Sequence, residues 1–167
     1  MQSETARMNS AAEAKFRIRE PNSRSRAVKV IALDKASEAT LQQVAKSKWD
    51  GATFLTASTF AMSASKFSPD GWLTDLAGKT RDLMRELEHS DSVIMVATVG
   101  QTLESAALIG EACNIRHVLT TGIVLSGKDR HGPELIRALN ELRPHVVMLV
   151  VTADNDYVEE MLNWLRA

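Results

Sequence analysis

Five short apolar runs limit what this chain can fold into. They are "VKVIAL" (28–33), "ATFLTA" (52–57), "SVIMVAT" (92–98), "HVLTTGIVL" (117–125) and "HVVMLVVT" (145–152). Each is rich in Val, Ile and Leu, and none alternates apolar with polar residues. A strand with one face in water alternates; a strand covered on both faces does not. The five runs therefore predict a parallel sheet with helices on both sides.

The intervening segments carry helical spacing. Residues 72–88 place Leu73, Leu76, Ala77, Thr80, Leu83, Met84 and Leu87 at intervals of three and four, which predicts one helix with a buried face. Ser68-Pro69-Asp70 precedes it as a cap. Further helices are expected at 37–48, 102–113, 133–142 and 156–166. Pro133 suits the first turn of helix 133–142, and Pro144 forces that helix to stop. Asp156 and Glu159 stand at capping-box spacing. Alternation of strand and helix implies an α/β, three-layer, doubly wound, Rossmann-like domain of five mainly parallel strands, with expected order 3-2-1-4-5.

A chain of 167 residues suits one domain. Residues 1–26 read as a mobile N-terminal tail, and 27–167 as the single Rossmann-like domain. The tail holds six Lys/Arg against three Glu, a charge of +3, which leaves −4 for the domain out of a total of −1. With one aromatic residue and little apolar periodicity, it cannot offset its own ordering entropy. An arm that orders on a partner is the sharper alternative. The domain's acidity argues against nucleic acid, and no apolar run nears the roughly 20 residues that span a bilayer. One cysteine, Cys113, precludes an internal disulfide and fits a reducing compartment, and no signal-peptide core follows the N-terminus. Cytoplasmic location is the expectation, with no membrane and no nucleic acid as partner.

In open α/β sheets ligands bind beyond the carboxyl ends of the strands. That rule selects Ser58, Thr98, Gly100, Gln101, Thr102, Lys128, His131 and Asp154 as ligand-binding candidates. Gly100 to Thr102 can offer backbone N–H groups and a helix N-terminus to a small anion. Ser58 and Asp154 would then meet a sugar or base, and His131 or Lys128 would carry charge or a proton. The glycine-rich dinucleotide and P-loop patterns do not occur. Asp34 ends the first run as an acceptor aspartate would, but "KAS" follows instead of further acids. Asp154 and Asp156 are explained as helix caps. No catalytic residue, metal site or cofactor is assigned. Cys113 shares a helix face with Ala106 and Gly110 and reads as packing. His117 and His145 start strands and read as structural or surface residues. The segment 59–72 is long for a strand–helix connection, and serves either as a docking loop or as a surface loop tucked under the sheet.

The succession of segments resembles the GTP-binding domain of the FtsZ/tubulin family over residues 28–160. "VKVIAL" resembles its opening strand, and "WDGATFLTAST" (49–59) its second strand and nucleotide-contacting turn. "LEHSDSVIMVAT" (87–98) resembles the strand leading to the tubulin signature. "LNELRPHVVMLVVTADN" (139–155) resembles the segment ending in that family's "IPND". The phosphate loops depart from the pattern. "LDKASEAT" (33–40) has no glycine, and "TVGQTLES" (98–105) keeps only Gly100 and Thr102 of GGGTGTG. Glycine lets a backbone approach phosphate closely and with positive φ. The resemblance thus implies a degenerate, truncated relative, and GTP hydrolysis and filament formation are not carried over. A weaker likeness joins "ATVGQT" (97–102) to the S-x-S-G-E-T loop of sugar-isomerase phosphosugar domains, with both serines replaced.

Two functions follow. The first is a non-catalytic regulatory, scaffold or assembly subunit that binds a protein partner or forms a homo-oligomer. Its anchors would be Phe60, Met62, Phe67 and Trp164, with burial in the core as the alternative for each. The second is a nucleotide or sugar-phosphate binding protein or enzyme using the strand-end crevice.

Overall fold

Strand and helix starts are set by the apolar runs and by local caps. The computed structural model describes residues 25–57, 72–101, 103–127, 132–153 and 156–167. The chain runs β1 (Val28–Ala32), α1 (Lys35–Val44), β2 (Ala52–Thr56), β3 (Trp72–Asp75), β4 (Thr80–Asp82), α2 (Leu83–Leu87), β5 (Ser92–Thr98), α3 (Glu104–Arg116), β6 (Leu119–Leu125), α4 (Pro133–Leu142), a 3-10 turn (Arg143–His145), β7 (Met148–Thr152) and α5 (Tyr157–Leu165). The strands form one sheet in the order β4-β3-β2-β1-β5-β6-β7. β2, β1, β5, β6 and β7 are parallel; β3 and β4 are antiparallel additions beyond β2.

The α/β class is as expected, and the five apolar runs are the parallel strands, but the sheet has seven strands instead of five. The strand order also differs. The five apolar runs stand in the order 2-1-3-4-5 instead of 3-2-1-4-5, so the third run pairs with the first, on its side away from the second. The space beside β2 is taken by the hairpin β3–β4, which leaves the third run only the free side of β1. That hairpin replaces most of the helix expected over 72–88. Gly78 adopts φ +81°, and the Asp75 carboxylate accepts from the N–H groups of Ala77 (3.0 Å) and Lys79 (2.8 Å). This turn reverses the chain where helical spacing would have carried it on. The Lys79 N–H, followed by Ala77 and Arg81, holds the Asp75 carboxyl below its usual range against the opposing effect of desolvation.

Alternate strand residues feed two cores. Ile31, Leu55, Val93, Met95 and Val124 face α2, α3 and α4, whose Leu83, Leu87, Ile109, Cys113 and Leu142 are buried there. Val30, Ile94, Val96, Ile123 and Leu125 face α1 and α5 through Leu41, Val44, Val158 and Leu162. Burying each Leu or Ile side chain contributes about 1.5–3 kcal/mol. α5 begins at 157 as expected, but Asp156 makes no side-chain cap bond, because it already has helical backbone angles. Another correction concerns the last run. β5 is buried through Val93–Ala97, whereas no residue of β7 is fully buried. β7 is the edge, so its composition matches a central strand while its position does not.

α3 crosses close to the turn before β7 because residue 110 has no side chain. A Cβ there would stand 2.7 Å from His145 Cβ and 2.9 Å from the His145 carbonyl oxygen. Alanine is favoured over glycine inside a helix by about 1 kcal/mol. Overpacking against backbone costs about 1–3 kcal/mol and should outweigh that gain. Gly110→Ala should therefore lower the urea midpoint; an unchanged or raised midpoint would show that the crossing is looser than described.

Candidate functional site

The carboxyl ends of β1, β5, β6 and β7 meet at one edge of the sheet, and three connections shape it. The first is the β1–α1 turn. Asp34 Oδ1 accepts from the N–H groups of Ala36 (2.9 Å) and Ser37 (2.8 Å), while Ser37 Oγ donates to the Asp34 carbonyl (2.9 Å). Ser37 Oγ also accepts from the Asp34 N–H (3.2 Å), completing a capping box. The other carboxylate oxygen, Oδ2, accepts from the Thr98 N–H across the sheet at 2.7 Å. Asp34 is buried. Its oxygens are committed to the protein, and they occupy the α1 N–H groups that a phosphate would need. Asp34 is thus a helix cap and a strand tie.

The second connection is the β5–α3 turn, where Thr98, Gly100 and Gln101 do come together. The Val99 N–H donates to the Leu125 carbonyl (3.2 Å), which fixes the turn on β6. Gly100 has φ +87°, a conformation that favours glycine. α3 starts at Leu103 without a side-chain cap. These features fit an anion turn, but a carboxylate stands over it. Glu134 Oε2 lies 3.0 Å from where a Cβ on residue 100 would be. The depression here is about 70 Å³, lined by Gly100, Gln101, Glu134, Arg137 and Ala138. Arg137 is drawn to Glu141 at 2.9 Å. A small polar niche with a carboxylate at its wall is poorly suited to an anionic ligand.

The third connection is the β6 end, where Ser126 donates to the Thr152 carbonyl from its N–H (2.8 Å) and its hydroxyl (3.1 Å). Ser58, Thr102, Lys128, His131 and Asp154 lie outside the described residues, as do Phe60, Met62 and Phe67 and the cap expected at 68–70. Trp164 is described. It is 86% exposed on α5, so the interface reading fits it and the core reading does not. Among the described residues no cluster of His, Cys, Asp or Glu could hold a metal, and no helix is long and apolar enough to cross a membrane.

A larger cavity lies at the opposite edge, near the starts of β6 and β7. It holds about 480 Å³ and is lined by Gly110, Glu111, Asn114, Thr120, His145 and Val147 among others. Sequence reasoning missed it because the strand-end rule points to the other edge. Thr120 is engaged there, its Oγ1 accepting from the Val147 N–H at 3.1 Å. His117 C-caps α3 in a left-handed conformation, and His145 ends the 3-10 turn and packs on Gly110, so, against expectation, neither opens a strand.

Cys113 is buried and far from both turns in sequence. Burial pushes its thiol from 9.0 up to about 12, so it is neutral and a poor nucleophile.

Two outcomes test this arrangement. Asp34→Ala removes the α1 cap and orphans the Thr98 N–H, and should cost roughly 2–4 kcal/mol in urea unfolding; a loss near zero would mean the carboxylate is not the tie described. For Cys113, the thiol is neutral in both states below pH 9.0. Above that the unfolded chain ionises while the folded one resists until about 12, so stability falls through this window. The advantage of the wild type over Cys113→Ala should shrink as pH rises past 9.0; a constant advantage would contradict the buried thiol.

No family model matches this chain, and no curated protein is detectably similar to it.

Proposed function

We propose that the chain is a non-catalytic, Rossmann-like regulatory, scaffold or assembly subunit that acts through protein–protein contacts. One observation carries this reading: large apolar side chains stand in solvent around the β7 edge, namely Leu119, Val147, Met148 and Val151. Apolar residues gathered at one place on a surface mark sites of association. The strand-end edge supports the same reading. Asp34 fills the first turn and Glu134 stands over the second, so the places where such a sheet holds phosphate are taken by its own carboxylates. The kinship with the FtsZ/tubulin-type domain belongs to this proposal and rests on the succession of strand sequences alone. On that view the glycines of the phosphate loops were lost and the scaffold kept.

The alternative is a nucleotide or sugar phosphate held beyond the strand ends. It has the Gly100 turn and the uncapped start of α3 in its favour, against the small niche and the Glu134 carboxylate. A thermal-shift screen of the full chain against nucleotides and sugar phosphates separates the two. A ligand at a hundred times its Kd stabilises by about 2.7 kcal/mol, which moves the melting point by several degrees. We expect no shift at millimolar ligand. A saturable shift that is lost in a Gly100→Val variant would overturn the scaffold reading in favour of the alternative.

A further inference from the structure

The two edges of the sheet differ. β4, at one edge, has three residues, "TRD", and two of them are charged. Short, charged edge strands keep other chains from pairing. β7, at the other edge, reads "MLVVT" and has no charge, proline or glycine. Among the described residues its one strand partner is β6, in regular parallel register from Thr121↔Met148 to Leu125↔Thr152. An unprotected apolar edge of this kind is a template for another strand.

The surface beside it is apolar on both faces of the sheet. On the α5 side Met148 is 46% exposed and Leu119 62%. On the α3–α4 side Val147 is 77% exposed and Val151 42%. A strand edge alone is small against the roughly 800 Å² per partner of a standard interface; these flanks supply the remainder.

We propose that β7 is the pairing edge of a two-fold dimer, in which it runs antiparallel to β7 of a second copy and makes one continuous sheet. This rests on the reading that the chain works through protein contacts, and it names the partner and the surface. Charge favours a second copy over an unrelated strand. Exposed Arg143 precedes β7, and exposed Asp156 follows it. Antiparallel pairing about the middle residue, Val150, carries the basic end of each copy toward the acidic end of the other, at both ends of the interface. A two-fold axis through the sheet makes such a contact self-complementary and closed, which prevents runaway association.

Sedimentation equilibrium of the full chain tests this. The wild type should show twice the chain mass, and Val151→Lys half of that, with an unchanged far-UV circular dichroism spectrum. Ile136→Lys, a substitution at a more exposed apolar residue on α4, should remain dimeric. Met148→Lys, on the other face, replaces Val151→Lys if the latter does not fold. A wild type that is monomeric at all concentrations overturns the proposal, as does a dimer that survives both lysines on β7. If the monomer becomes a dimer when residues 1–24 are removed, a segment of the same chain covers β7, and only the second copy is lost. A monomer that also gains thermal stability from a phosphate ligand loses the protein-contact reading as well.

Discussion

A β-sheet must satisfy the backbone N–H and C=O groups of its outermost strands, and this sheet meets that demand differently at its two ends. At the β2 end the chain folds a short hairpin back on itself and closes with Arg81 and Asp82. At the β6 end it adds a strand with the composition of a buried one and stops. The rest of the surface follows from this. Among the described residues two helices cover one face and three the other, and the apolar residues left in water include Leu119, Val147, Met148 and Val151 on and around β7.

The strand-end edge is closed from within. Asp34 ties together three elements that a nucleotide would otherwise bridge: the end of β1, the start of α1 and the end of β5. The bonds that would offset the desolvation of a phosphate are already made to a side chain. Displacing Asp34 would orphan a buried carboxylate, a cost no weak ligand could offset. The β5–α3 turn keeps the geometry of an anion site, with Gly100 at positive φ, and loses the electrostatics to Glu134. A fold of this class does not by itself imply a ligand, because a site depends on the loops carried by the sheet.

Much of the fold was legible from residue order. The five apolar runs are the five parallel strands, Pro133 and Pro144 bracket α4, and Cys113 is packed where its helix face put it. Three features were not legible, each for a physical reason. Leu73, Leu76, Ala77 and Thr80 fit helical spacing, and only the Asp75–Gly78 turn, a local signal, outweighs it. The order of parallel strands depends on which side each crossover returns to, and spacing does not record that. A central strand and an unprotected edge strand have the same composition, so "HVVMLVVT" read as buried. The candidate site was half legible. Thr98, Gly100 and Gln101 meet as the strand-end rule requires. The bond from Thr98 to Asp34 joins residues 64 apart, and Glu134 reaches Gly100 from another helix, so neither left a trace in local sequence.

A β7 edge that serves as an interface must be occupied in solution. Amide hydrogen exchange of the full chain answers this directly. With a strand paired against it, the backbone of Leu149–Val151 should exchange as slowly as that of β6, and more slowly as protein concentration rises. Fast exchange along β7 at every concentration, beside a protected β6, would leave the edge bare and contradict the claim that this surface is where the protein works.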